Sequence, residues 1–101
     1  MIAQDVLDFW FLPAGDPGYG KARMEWFRKD PAFDARIRER FGSLIAQALA
    51  GGLREWEVEG PQGALARILV LDQFTRNAYR EAPESFAGDT LALAAAQALV
   101  D

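Results

Sequence analysis

The sequence contains neither cysteine nor histidine. Without thiols there is no disulfide, no thiolate metal ligand and no cysteine nucleophile, and without imidazole the commonest general base and zinc ligand is missing too. Catalysis by these residues would have to draw on carboxylates, Arg, Lys, Tyr or hydroxyls, and neither a metal nor a cofactor is expected. Positive charge is also in deficit: 11 Lys and Arg stand against 15 Asp and Glu, for a formal charge of −4 and a pI near 4.8. That balance lacks the basic footprint that holds nucleic acid or anionic lipid, so neither is an expected partner. The uncharged stretch from Thr90 to Val100 would measure about 15 Å as a helix, half the roughly 30 Å core of a bilayer, so no membrane span is expected. Met1-Ile2-Ala3-Gln4-Asp5 lacks a basic lead, and Asp5 and Asp8 interrupt the apolar residues, which argues against a secretory signal and for a cytoplasmic location.

What is present is apolar material for one core: 50% of the 101 residues are hydrophobic and 12% aromatic, which suits a single helical domain over residues 1–101. Ala3 to Phe11 reads as an amphipathic helix with Ile2, Val6, Phe9 and Trp10 on one side, Leu7 and Phe11 widening the stripe, and Asp5 and Asp8 facing away. A loop with Pro13, Gly15, Pro17, Gly18 and Gly20 leads to Met24-Glu25-Trp26-Phe27, whose aromatic pair should pack inward. Asp30-Pro31 is a strong helix start. The following helix carries Phe33, Ile37, Phe41, Leu44, Ile45, Ala48 and Leu49 in one stripe and Arg36, Glu39, Arg40, Ser43 and Gln47 opposite, and Gly51 or Gly52 stops it. Trp56 should pin the Leu53 to Glu59 bridge to the core. Gly60-Pro61 opens a helix reaching about Asn77, whose apolar residues encircle the axis, so Leu65, Ile68, Leu69, Leu71 and Phe74 are expected to be buried. A Pro-bearing loop from Glu81 to Gly88 precedes a last helix capped by Asp89.

Leu71 to Arg80 is the stretch richest in chemistry. At 100° per residue, Asp72 and Arg76 project with Leu65, Ile68 and Leu69, which predicts an ion pair with Arg76 substantially buried. Gln73 and Asn77 repeat the four-residue spacing, and Arg80 follows. The plainer reading is an intrahelical pair, with the amides bonding to the adjoining loop and the arginines favoured by the helix C-terminus. The functional reading makes Asp72, Gln73, Arg76, Asn77 and Arg80 a candidate ligand site, in which the guanidiniums fork onto a carboxylate or phosphate and Asp72 orients Arg76. No catalytic residue is assigned. Asp5 with Asp8, and Glu55, Glu57 and Glu59, read as solvated faces rather than metal ligands; Gly15, Gly18 and Gly20 lack the context of a phosphate loop. Trp10, Phe11, Trp26, Phe27 and Trp56 read as core before they read as a peptide groove.

Val6-Leu7-Asp8-Phe9-Trp10-Phe11, Trp26-Phe27, Phe33-Asp34 followed by Ile37 and Phe41, and above all Leu71-Asp72-Gln73-Phe74-Thr75-Arg76-Asn77 carry a resemblance across nearly the whole chain. In this ordered set the chain resembles the front half of a mostly bacterial family, the domain of unknown function nine-two-four, whose fold is described as tetratricopeptide-like and all-helical. The resemblance implies an all-α domain of helical hairpins, truncated relative to the family, whose members continue through further helices with histidines and a second Arg-Phe-Pro-His-Arg-Asn type segment. The family commonly has Pro where this chain has Thr75, and the tetratricopeptide consensus is not visible. The family brings a fold and no established activity.

These readings point to a helical binding module for a peptide, a protein or a small anionic ligand. The alternative is a small-molecule or anion-handling enzyme, with a polar pocket around Asp72 and Arg76 completed by the second half. A structural or oligomerising role is the third reading. Between Leu91 and Val100 only Gln97 faces water, so something must cover that helix: further helices of the same chain, or a second copy in a homo-oligomer.

Overall fold

The structure, a computed structural model, describes residues 2–26, 29–80, 82 and 86–100, the side chains of residues 99 and 100 excepted. All regular elements among the described residues are helical. Helix α1, Ala3–Phe11, starts where the Asp5 carboxylate accepts the Ile2 N–H at 2.8 Å, satisfying a donor that the first turn leaves over. It buries Val6, Leu7 and Trp10, while Ile2, expected in the same stripe, precedes the helix and is exposed. The helix ends at Leu12, held at φ 73°, a conformation that a branched side chain rarely adopts.

Arg23 then reaches back to that end. Its Nη1 donates to the carbonyls of Phe9 (2.8 Å) and Trp10 (3.0 Å), and its Nη2 pairs with Glu25 at 3.0 Å. Two carbonyls without intrahelical partners are thereby satisfied. The Glu25 carboxyl lies below its ordinary value, first because it accepts its own backbone N–H and also because of Arg23. Trp26, on the short turn Met24–Trp26, stacks on Trp10 at 5.7 Å and donates its indole N–H to the Trp10 carbonyl. Phe27, expected to pack beside it, lies outside the described residues.

Helix α2, Pro31–Leu49, begins as its sequence dictates, with Asp30 accepting the N–H groups of Ala32 and Phe33. Phe33, Ile37, Phe41, Leu44, Ile45 and Ala48 are all buried, and Leu49 is half-buried. Gly51, at φ 90°, and Gly52, which donates to the Gln47 carbonyl at 2.8 Å, close the helix. The one-turn helix α3, Glu55–Val58, seats Trp56 in the core.

Pro61 opens one continuous rod in three parts: α4, Pro61–Leu69; a π turn, Val70–Phe74; and α5, Thr75–Ala78. The Thr75 N–H reaches the Val70 carbonyl five residues back, and the Thr75 hydroxyl donates to the same oxygen at 2.9 Å. This wide turn stands where the resemblance places proline. Helix α4 packs against α1, α3 and α6, the π turn against α2 and α6, and α5 against α2. Phe74, Phe41, Phe9 and Phe33 join the two sides in one aromatic cluster, with Phe41 and Phe74 only 4.8 Å apart.

The all-round apolar character of this rod concealed which face is open. Leu69, Leu71 and Phe74 are buried as expected, but Leu65 is 37% exposed and Ile68 half-buried. Asp72 and Arg76, projected inward with them, are part-exposed as well. The neighbours come closest at the small residues instead: a methyl group on Gly63 would overlap the Trp56 carbonyl, and Ala64 and Ala66 are buried.

Helix α6, Asp89–Val100, turns Ala92 and Ala95 inward and leaves Leu93 61% exposed. The side chains of Leu99 and Val100 lie outside the described residues. At its start Gly88 presses on the Leu71 carbonyl, leaving no room for a side chain. No helix among the described residues is long and apolar enough to cross a membrane.

Candidate functional site

The five residues singled out at Asp72 to Arg80 fall into two groups. In the first, Arg76 Nη1 meets Asp72 at 3.1 Å, four residues back, and Arg76 Nη2 meets both oxygens of Asp89 at 3.1 Å; Gln73 donates to Asp72 at 3.1 Å. The pair expected from the spacing is present, but Arg76 is not substantially buried. Its side chain is 41% exposed and that of Asp72 31%. The projection that took it inward assumed an unbroken α-helix, whereas the π turn lies between Ile68 and Arg76 and changes the phase. Phe86 lies 5.3 Å from the guanidinium, and two carboxylates already answer its charge. The triad ties the start of α6 to the central rod.

In the second group, Asn77 and Arg80 converge on a residue that spacing did not single out. Asp34, on α2, is 4% exposed and accepts from Asn77 Nδ2 at 2.9 Å, Arg80 Nε at 2.7 Å and Arg80 Nη2 at 3.3 Å. A carboxylate taken from water needs such partners, and Asn77, 5% exposed, needs an acceptor in turn. The signal for Asp34 was available: it follows Phe33 directly and stands three residues before Ile37 and seven before Phe41, on the flank of the α2 stripe. A second buried charge, Arg67, was also missed. It is 4% exposed, donates to the Gly52 carbonyl at 3.0 Å and pairs with Glu57 at 2.8 Å, and its Nη2 has no hydrogen-bond partner among the described residues. Its signal was being the one charge between Pro61 and Leu71.

Two concave surfaces lie away from these clusters. Between α1 and α4 runs a groove of about 300 Å³ walled by Leu7, Phe11, Leu12, Tyr19 and Leu65, with Gln4, Asp8 and Gln62 as its polar lining. Gln4 and Asp8 bond to each other at 2.8 Å. On the other side of α1 a recess of about 410 Å³ is lined by the apolar Phe9, Leu12, Pro13 and Phe33 together with Arg23, Arg36, Arg40 and one carboxylate, Asp8. Leu12, at positive φ, lines both. Among the described residues no cluster of carboxylates is arranged to hold a metal ion.

The sequence profile of a family described as bacterial protein of unknown function (DUF924) matches residues 6–101. Among solved structures, a protein of unknown function from Agrobacterium tumefaciens is similar, with a TM-score of 0.79 and 36% identity over 97% of this chain and 51% of that one. The present chain therefore spans about half the length of that relative. No match was found among curated proteins. The profile covers the first aromatic helix, the Asp34 cluster and the Asp72 to Asn77 stretch alike, and on that extent the chain belongs to the DUF924 family of bacterial proteins.

Proposed function

We propose that the chain is a helical binding module whose α1–α4 groove takes the apolar face of an amphipathic helix with a basic polar side. The observation that carries this reading is Leu65: a large apolar side chain on the central helix, left open in a groove that it lines together with other apolar and aromatic side chains. Helix-in-groove recognition uses such a surface, with anchors three and four residues apart entering from the partner. Asp8 is the charged group of the lining, and with a net charge of −4 it favours a basic partner. A tetratricopeptide-like arrangement of helical pairs fits the same use. The anion-handling reading at Asp72 and Arg76 has less support, since the Arg76 guanidinium is shared between two carboxylates.

The test is a calorimetric titration with a short amphipathic Leu/Lys peptide beside a Leu/Glu peptide of the same pattern. The basic peptide should bind saturably, and Leu65→Glu, at a half-open position, should weaken it about tenfold or more while leaving the fold intact. Equal binding of both peptides, or binding indifferent to Leu65→Glu, would remove the groove from the proposal.

A further inference from the structure

Each arginine described in this chain has an answering group, except two. Arg23 pairs with Glu25, Arg67 with Glu57, Arg76 with Asp72 and Asp89, and Arg80 with Asp34. Arg38 and Arg54 donate to the carbonyls of Ala78 and Gly51. Arg36 and Arg40 meet no carboxylate or carbonyl among the described residues. They lie over rings instead: Arg36 at 5.4 Å from Phe33 and 5.9 Å from Phe9, Arg40 at 5.8 Å from Phe9 and 5.1 Å from Phe41.

Four residues apart on α2, these two guanidiniums are neighbours of like charge, an arrangement that costs stability where no anion answers it. A ring face attracts the cation and takes none of its N–H donors, which lie in the guanidinium plane. The donors therefore remain available beside a recess of about 410 Å³, within the range of small-molecule sites. The recess combines this basic lining with an apolar one. Asp8, the carboxylate of the lining, accepts from Gln4, and Glu39, between the two arginines in sequence, reaches neither within ion-pair distance.

We infer that this recess binds an organic oxyanion, a phosphate or carboxylate group on a flat apolar body, with Arg36 and Arg40 forking onto the head and Phe9 and Leu12 receiving the body. Paired guanidiniums suit such heads because two N–H groups can address two oxygens at once. The recess adjoins the α1–α4 groove, sharing Asp8 and Leu12 with it, but does not rest on the reading given there.

The experiment titrates the 101-residue chain at constant ionic strength with phenyl phosphate, benzoate, inorganic phosphate and phenol, following heat and the arginine Nε–H resonances. Phenyl phosphate or benzoate should saturate, with the Arg36 and Arg40 signals moving; whichever of the two binds more tightly names the head group. Inorganic phosphate and phenol, each carrying half of the recognised features, should bind about tenfold more weakly or worse. R36Q/R40Q, at exposed helix positions, should keep the helical circular dichroism and lose about tenfold or more in affinity. The inference is overturned if neither organic anion saturates, if R36Q/R40Q binds as well as the parent, or if phenol binds as tightly as the anions.

Discussion

Replacing Asp34 by alanine should loosen the seam between α2 and α5 more than any surface change. The carboxylate is 4% exposed and takes three hydrogen bonds from Asn77 and Arg80. Truncation leaves the Asn77 amide buried without an acceptor, which costs roughly 1–3 kcal/mol, and a hydrogen bond to a charged group contributes about 1.5–3 kcal/mol where it is kept from water. Arg80 is 34% exposed in its side chain, so its share is discounted toward the solvent-screened limit of about 1 kcal/mol or less. These overlapping terms give a loss of about 3 kcal/mol. At roughly 4–8 °C per kcal/mol for a domain of this size, the melting temperature should fall by about 10–25 °C. Urea unfolding followed by circular dichroism should show a lower midpoint with an unchanged slope. Asp34→Asn keeps an oxygen for Asn77 and should lose less. The decisive measurement is the cycle of Asp34→Ala with Asn77→Ala, whose coupling should exceed about 1 kcal/mol because the second change removes the stranded donor. Coupling near zero, or Asp34→Ala within about 0.5 kcal/mol of the parent, would refute the reasoning.

Asp72→Asn should cost far less than a buried pair implies: with both side chains open and Asp89 sharing the guanidinium, a double-mutant cycle between Asp72 and Arg76 should give about 1 kcal/mol or below. Two glycines should respond in opposite directions. Gly88→Ala drives a methyl into the Leu71 carbonyl and should lose about 1–3 kcal/mol, whereas Gly42→Ala, inside α2 with open space around the new methyl, should gain about 0.5–1 kcal/mol in chemical denaturation. The Glu25 carboxyl is lowered in the folded state, so the stability it brings is present above its unfolded value near 4.5 and fades as pH falls through the folded one. Glu25→Gln should flatten that part of an acid-unfolding profile, and an unchanged profile would show that Glu25 is not its source.

Helix positions were legible wherever the chain punctuates itself. Asp30-Pro31, Gly51-Gly52 and Gly60-Pro61 each act through local backbone chemistry, and the α2 stripe has a single apolar side, so its burial followed from period alone. The central rod gave no such contrast. Its apolar residues surround the axis, and the open side was marked only by Asp72 and Arg76, which the projection took inward with Leu65. Charges buried singly, Asp34 and Arg67, depend on partners distant in sequence: Asn77 lies 43 residues from Asp34 and Gly52 lies 15 from Arg67. Spacing along one helix cannot see them. The paired arginines on α2 were read as a solvated face, and only the fold brings Phe9 under both.

The π turn sets the phase of everything after it. By adding one residue to a turn between Val70 and Phe74, it offsets the downstream helix by roughly 100° from where an unbroken α-helix would have carried it. Upstream the rod packs on α1, α3 and α6; downstream it gains α2, where Asn77 comes to face Asp34, while Arg76 keeps hold of the start of α6. Deleting one residue from that turn would leave a more regular helix and swing Asn77 away from the carboxylate it serves. In this small fold a local irregularity is the joint that lets a single helix address two layers.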